Sequence, residues 1–215
     1  MDVSIITVFL FSRKDTNFTW DFPDVEEHKV TLKEALAGIP SLDPFLREGY
    51  SETLKMFPEY EKKRKNGLAV SKWHYPPKHS KRHVEWMMHT PSGTSAIYNE
   101  IYFPKKADGS RISAHENQYR RHSWDKPCRT ITQNNGVISS LCCVHPGYEY
   151  KSAEGEILYS DARVFSIYEL LIVSSLPTDW NIPAWANETL IRHVIGEGIP
   201  PLLVKKIIEQ LLKHI

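Results

Sequence analysis

The stretch SWDKPCRTITQNNG, Ser123 to Gly136, places Cys128 between Pro127 and Arg129. Cationic neighbours lower a thiol pKa, and the thiolate is the reactive form, so residue type alone makes Cys128 a candidate nucleophile. Metal binding is a second possible chemistry. His79 and His83 lie four residues apart, a spacing that can share one helix face, and His74 and His89 are close in sequence. No Cys-x-x-Cys or His-Glu-x-x-His pattern accompanies them. Packing and phosphate contact are therefore the favoured roles for these histidines, and no metal site is assigned.

A third chemistry is polyanion binding. The net charge of +1 conceals a segregation: residues 1–60 sum to −5, residues 61–130 to +9 and residues 131–215 to −3. The central segment interleaves its cations with Trp73, Tyr75, Trp86, Tyr119 and Trp124. Such a pattern suits a nucleic-acid surface, with cations for phosphates and rings for bases. Candidate contacts are Lys72, Lys78, Arg111, Arg120 and Arg121. Arginine suits guanine, and Asn or Gln suits adenine, although phosphate contact is the commoner role for any one arginine.

The elements that must position these residues are partly legible. Residues 3–11, VSIITVFLF, are apolar and β-branched almost throughout and predict a strand buried on both faces. Thr31 and Glu34 form a capping box ahead of a short helix, and Ser166 and Glu169 form another ahead of LLIVSS. Pro200 and Pro201 open a terminal helix whose Val204, Ile207, Ile208, Leu211, Leu212 and Ile215 follow helical spacing. Between about 68 and 150, short pieces such as SAIYNEIYF, CRTIT and VISSLCCV alternate with polar turns and predict an irregular β-rich unit. Three cysteines, two of them adjacent, do not make a disulfide framework, and no apolar run approaches a membrane span. A cytoplasmic protein is expected.

Three blocks, in order, resemble the C-terminal part of DNA (cytosine-5)-methyltransferases. WDKPCRTITQNNG is similar to the target-recognition segment, DARVFSIYELLIVSSLPTDW to the ninth family motif, and IRHVIGEGIPPLLVKKIIEQLL to the tenth. Weaker echoes of the eighth motif and the entry to the recognition domain extend the likeness over nearly the whole chain. The Phe-x-Gly-x-Gly, Pro-Cys-Gln and Glu-Asn-Val motifs that precede these blocks in the family do not occur here.

The resemblance implies an α/β fold: part of a Rossmann-like methyltransferase sheet plus a small irregular β-rich target-recognition domain. The expected division is 1–66 and 156–215 for catalytic-domain elements and 67–155 for DNA recognition. It implies double-stranded DNA as ligand, with Thr130, Thr132, Gln133, Asn134 and Asn135 at the DNA face, S-adenosylmethionine as a cofactor bound mainly by a partner, and a catalytic subunit carrying the nucleophile. By position in the family pattern, Cys128 lies in the recognition block and not in the nucleophile loop. The resemblance gives Arg163 and Glu169 an organising role and puts Glu197, Gly198 and Ile199 beside the cofactor, with Glu197 where the family usually has Asn. The rival expectation is a non-enzymatic DNA-binding protein that acts without a partner.

Overall fold

The computed structural model describes residues 21–141 and 143–213, so the strand expected at 3–11 lies outside the described residues. Helix α1 (Leu32–Ala35) is followed by β1 (Phe45–Leu46), α2 (Tyr50–Met56), α3 (Tyr60–Val70), β2 (Lys78–His79) and α4 (Lys81–Met88). A 3-10 turn at Ala96–Tyr98 precedes a long irregular stretch, then β3 (Glu149–Lys151), β4 (Ile157–Tyr159), α5 (Ile167–Val173), α6 (Glu188–Glu197) and α7 (Pro201–Leu212). β1 pairs parallel with β2, and β3 antiparallel with β4. The described residues thus mix helices with two small sheets, consistent with an α/β class.

Both expected capping boxes form. The Thr31 hydroxyl accepts from Glu34 N–H while the Glu34 carboxylate accepts from Thr31 N–H at 2.7 Å. Ser166 and Glu169 make the same reciprocal pair at the start of α5, with the Ser166 N–H to carboxylate bond also 2.7 Å. Each satisfies orphan N–H groups of a helix start by residues three apart, so the sequence specifies it locally. The first turn of α1 is tied further: Leu32 and Lys33 N–H donate to the carbonyls of Lys126 and Trp124. That anchors the front of the SWDKPC stretch.

Between 95 and 144 the expected strands give way to loops. SAIYNEIYF forms the 3-10 turn and a coil, CRTIT is coil, and VISSLCCV contributes isolated bridges such as Gln118 with Leu141 and Val144 with Val164. Side chains occupy carbonyls that a ladder would use. Ser95 Oγ donates to Gln118 O, Arg111 to Ile97 O and Asn99 O, and Arg120 to Gly93 O. β-branched composition records a fit to a half-buried pleated surface, which this backbone does not build.

Two cores meet at adjacent residues. Val164 belongs to a cluster with Leu46, Val84, Met87, Ile138 and Val144, and Phe165 to another with Leu32, Leu36, Ile167, Leu170, Leu171, Ile191 and Ile195. Each cluster draws on residues from all three of the expected segments. The terminal helix covers less of its stripe than its periodicity predicts: Ile207 is buried, Val204 and Leu211 are half-buried, and Ile208 and Leu212 are exposed.

Candidate nucleic-acid interface

The framework behind the basic surface is a buried ionic node. Arg163 is fully buried and places all five of its N–H groups: two on Glu169 (2.7 and 2.9 Å), one on Asp161 (2.7 Å), one on Leu42 O and one on Val164 O. Asp161, at φ +48, also accepts from Ser41 Oγ, Leu42 N–H and Ser160 Oγ. Burial pushes both carboxyls up, yet the Arg163 and His145 charges outweigh it. Glu169 is held down at about 2 and Asp161 well below the carboxylate range. The arrangement locks the start of α5 to residues 41–42, more than a hundred positions away.

Arg121 corrects a sequence expectation. It was a candidate DNA contact, but it is fully buried and donates five bonds to main-chain carbonyls: two to Met87, and one each to His145, Tyr159 and Asp161. It closes the C-terminal end of α4 onto the 145–147 turn and β4. Burial without a direct carboxylate partner pushes its pKa down to about 9. Gly147, at φ +71, makes room for it, because a Cβ there would stand 2.5 Å from Arg121 Nη1 and 2.4 Å from Ser160 O.

Asn135 is a second correction, since its amide faces the protein and not solvent. One N–H donates to Thr132 O and one to Arg192 O, each at 2.8 Å, and its Oδ1 accepts from Arg192 Nη1 at 3.3 Å. Arg192 in turn donates to Phe165 O (2.9 Å) and to Glu188 (2.7 Å). Close backbone packing reinforces the contact: a Cβ on Gly196 would lie 2.3 Å from Thr132 O. Gln133 and Asn134, between the two anchored residues, are exposed, as is Thr130, while Thr132 is half-buried. The recognition segment and α6 therefore share a seam.

Along that seam runs a cleft of about 340 Å³, lined on one side by Cys128–Ile131 and on the other by Ile195–Pro200, with Val173, Ser174 and Leu203. It brings Thr130 together with Glu197, Gly198 and Ile199, which the sequence placed in separate blocks. Cys128 lines the cleft, and its thiol points to Arg129 O at 3.3 Å.

The other candidate cations divide by environment. Arg111 lies over the Phe103 ring at 3.7 Å while its N–H groups hold the Ile97 and Asn99 carbonyls. Arg120 is half-buried on Gly93 O. Lys72 and Lys78 are exposed, with their ammonium groups over Trp73 and Phe45. Such stacking restrains a cation while leaving its charge available to a phosphate. Lys105, its ammonium 4.7 Å from the centre of the same Phe103 ring, joins this set.

His79 and His83 do not converge. His79 Nε2 accepts from Val164 N–H, whereas His83 packs its ring on Trp86 and Tyr119. Burial pushes them down to about 3 and about 4. Among the described residues no group of three His, Cys, Asp or Glu could hold a metal ion. Sequence reasoning missed Arg192, Gly196 and Asp161. The one available signal was Arg192 itself, a charged residue next to the apolar positions Ile191 and Ile195 of an amphipathic helix.

No family model matches the chain. A curated relative does: over 195 residues the chain is 38% identical to the Type II methyltransferase M1.HgaI of Avibacterium volantium. The chain is related to a type II methyltransferase. The aligned region is 91% of this chain but 47% of that protein, so the chain spans about half the length of the relative. No helix among the described residues is long and apolar enough to cross a membrane.

Proposed function

We propose that the chain is the DNA target-recognition subunit or half of a cytosine-5 methyltransferase from a restriction-modification system. It directs methylation of cytosine in a specific duplex sequence when joined to the part that carries the catalytic cysteine. The observation that carries this reading is the seam between the recognition segment and α6. It sets Thr130 and Gln133 beside α6 residues of the 195–200 stretch in a chain that aligns with about half of a type II methyltransferase. In this reading Lys72, Lys78, Lys105, Arg111 and Arg120 hold the phosphate backbone, and the Thr130–Asn134 segment meets base edges. Arg163 and Glu169 organise the domain from inside. The exposed apolar side chains Ile208 and Leu212, one turn apart on α7, dock on the catalytic part.

S-adenosylmethionine supplies the methyl group for such a reaction. In this reading the seam cleft supplies one wall of its site: Glu197, whose carboxylate pairs with His193 at 3.2 Å, Gly198 and Ile199 line it together with apolar Val173 and Leu203. A carboxylate suits an ammonium or ribose hydroxyls, and apolar walls suit a purine. At about 340 Å³ the cleft is near the small end of ligand pockets, and the remaining contacts are assigned to the catalytic part. The chain's own tasks are to present the target duplex and to close this wall.

The test is transfer of labelled methyl groups to duplex DNA by the chain, by the product encoded immediately upstream, and by both together. Activity of the combination alone is the expected result. Robust activity of this chain by itself, or inactivity of the combination on every DNA tried, would refute the proposal.

A further inference from the structure

Residues 132–136 meet α6 through a contact that packing alone does not require. Ile191 and Ile195 already bury the apolar face of α6 in the second core. Arg192 and Gly196, one turn apart, form a separate strip that meets the recognition segment, with Arg192 reaching on to Phe165 O. Three features fit that strip. Asn135 spends both amide N–H groups on Thr132 O and Arg192 O. Gly136 lies so close that a Cβ would stand 3.1 Å from Arg192 Cδ, and Gly196 admits the Thr132 carbonyl where no side chain could. The two exposed amides, Gln133 and Asn134, therefore sit on a two-residue bridge fixed at both ends.

From this geometry we infer that Asn135 and Arg192 are positioning residues for target choice. They hold Gln133 and Asn134 in one orientation relative to the cleft end of α6, so that the segment meets the duplex already ordered. A loop ordered before binding gives up less conformational freedom on the correct sequence, and its side chains cannot re-aim to suit an incorrect one. Arg192 supplies the long reach. Its guanidinium is pinned by Phe165 O and Glu188, so it cannot follow a mobile loop. Only a side chain with two amide donors at this length bridges the Thr132 and Arg192 carbonyls, which is why a buried Asn occurs in an otherwise exposed polar run. The inference rests on the DNA-recognition reading above.

The experiment presents the full chain, wild type and the variants Asn135→Ala, Arg192→Lys and Gly196→Ala, to a pool of random-sequence DNA duplexes and sequences the bound fraction. Thermal unfolding is followed in parallel by tryptophan fluorescence. The phosphate-binding cations are untouched, so total duplex retained at low salt should stay within about twofold of wild type. Enrichment of the preferred sequence should fall by roughly tenfold in variants that unfold cooperatively, the scale of losing one well-placed base contact. Unchanged enrichment in those folded variants overturns the inference. So does loss of folding in all three, which would make the strip a folding determinant and not a positioning device. A wild-type chain that retains duplex but enriches no sequence overturns the recognition reading itself, and this inference with it.

Discussion

Replacing Arg163 by Met removes the one guanidinium from a node in which Asp161 and Glu169 are both fully buried. The His145 imidazole, its Nε2 3.7 Å from Glu169 Oε1, does not replace that charge near neutral pH, because burial pushes it down to about 4. Removing one partner of a buried ion pair typically costs about 3–5 kcal/mol, because the other charge is left without compensation. In a chain of this size that lowers the melting temperature by roughly 6–20 °C. The sign of the pH response gives the sharper test. With Arg163 present, Glu169 is held near 2, below its ordinary value of 4.5, so its stabilising contribution is lost as pH falls through that interval. Without Arg163, burial dominates and raises both carboxyls above their unfolded values, so the variant gains stability as pH falls from neutrality while the wild type loses it. Urea unfolding monitored by tryptophan fluorescence measures both, and Trp124, 5.1 Å from the His145 ring, reports on the node. The double variant Arg163→Met with Glu169→Gln should lose less than the sum of the two single changes by at least about 1 kcal/mol. A loss below about 1 kcal/mol for Arg163→Met, or an acid response parallel to wild type, would refute the account of the node.

Wild-type stability should decline from about pH 6.5 downward. Burial pushes His145 from 6.5 to about 4, so the unfolded chain binds its proton first and stability falls across that interval; a flat urea midpoint between pH 7 and pH 5 would count against it. Gly147→Ala should destabilise by about 2 kcal/mol or more, since its Cβ would strike Ser160 O and Arg121 at a φ of +71, and thermal melts measure this directly. Cys128→Ser should leave methylation by the assembled enzyme within about threefold of wild type, because the proposed role of that residue is a wall position. Loss of methylation with DNA binding preserved would return the cysteine to the chemical step.

What could be read from the sequence was local. The two capping boxes link residues three apart, and both form as their patterns predict. The terminal helix starts at Pro201, where fixed φ and a missing N–H suit a first turn. The clustering of charge likewise pointed to a basic face, and several of its cations do lie exposed over aromatic rings. Strand expectations failed over 95–144 because β composition describes a packed pleated surface, which depends on partners far along the chain.

The sequence by itself therefore determined the starts of α1, α5 and α7, the charge segregation and the order of family-like blocks. Only the tertiary structure decided which polar residues face outward. Arg111 and Arg121 are the same residue type ten positions apart, yet one is stacked at the surface and the other is enclosed by four residues' carbonyls. Asn134 and Asn135 are neighbours, and only the second meets Arg192, 57 residues away. Each outcome depends on where main-chain carbonyls from distant segments converge. A buried carbonyl must be satisfied by whichever donor reaches it, and local sequence does not encode that convergence.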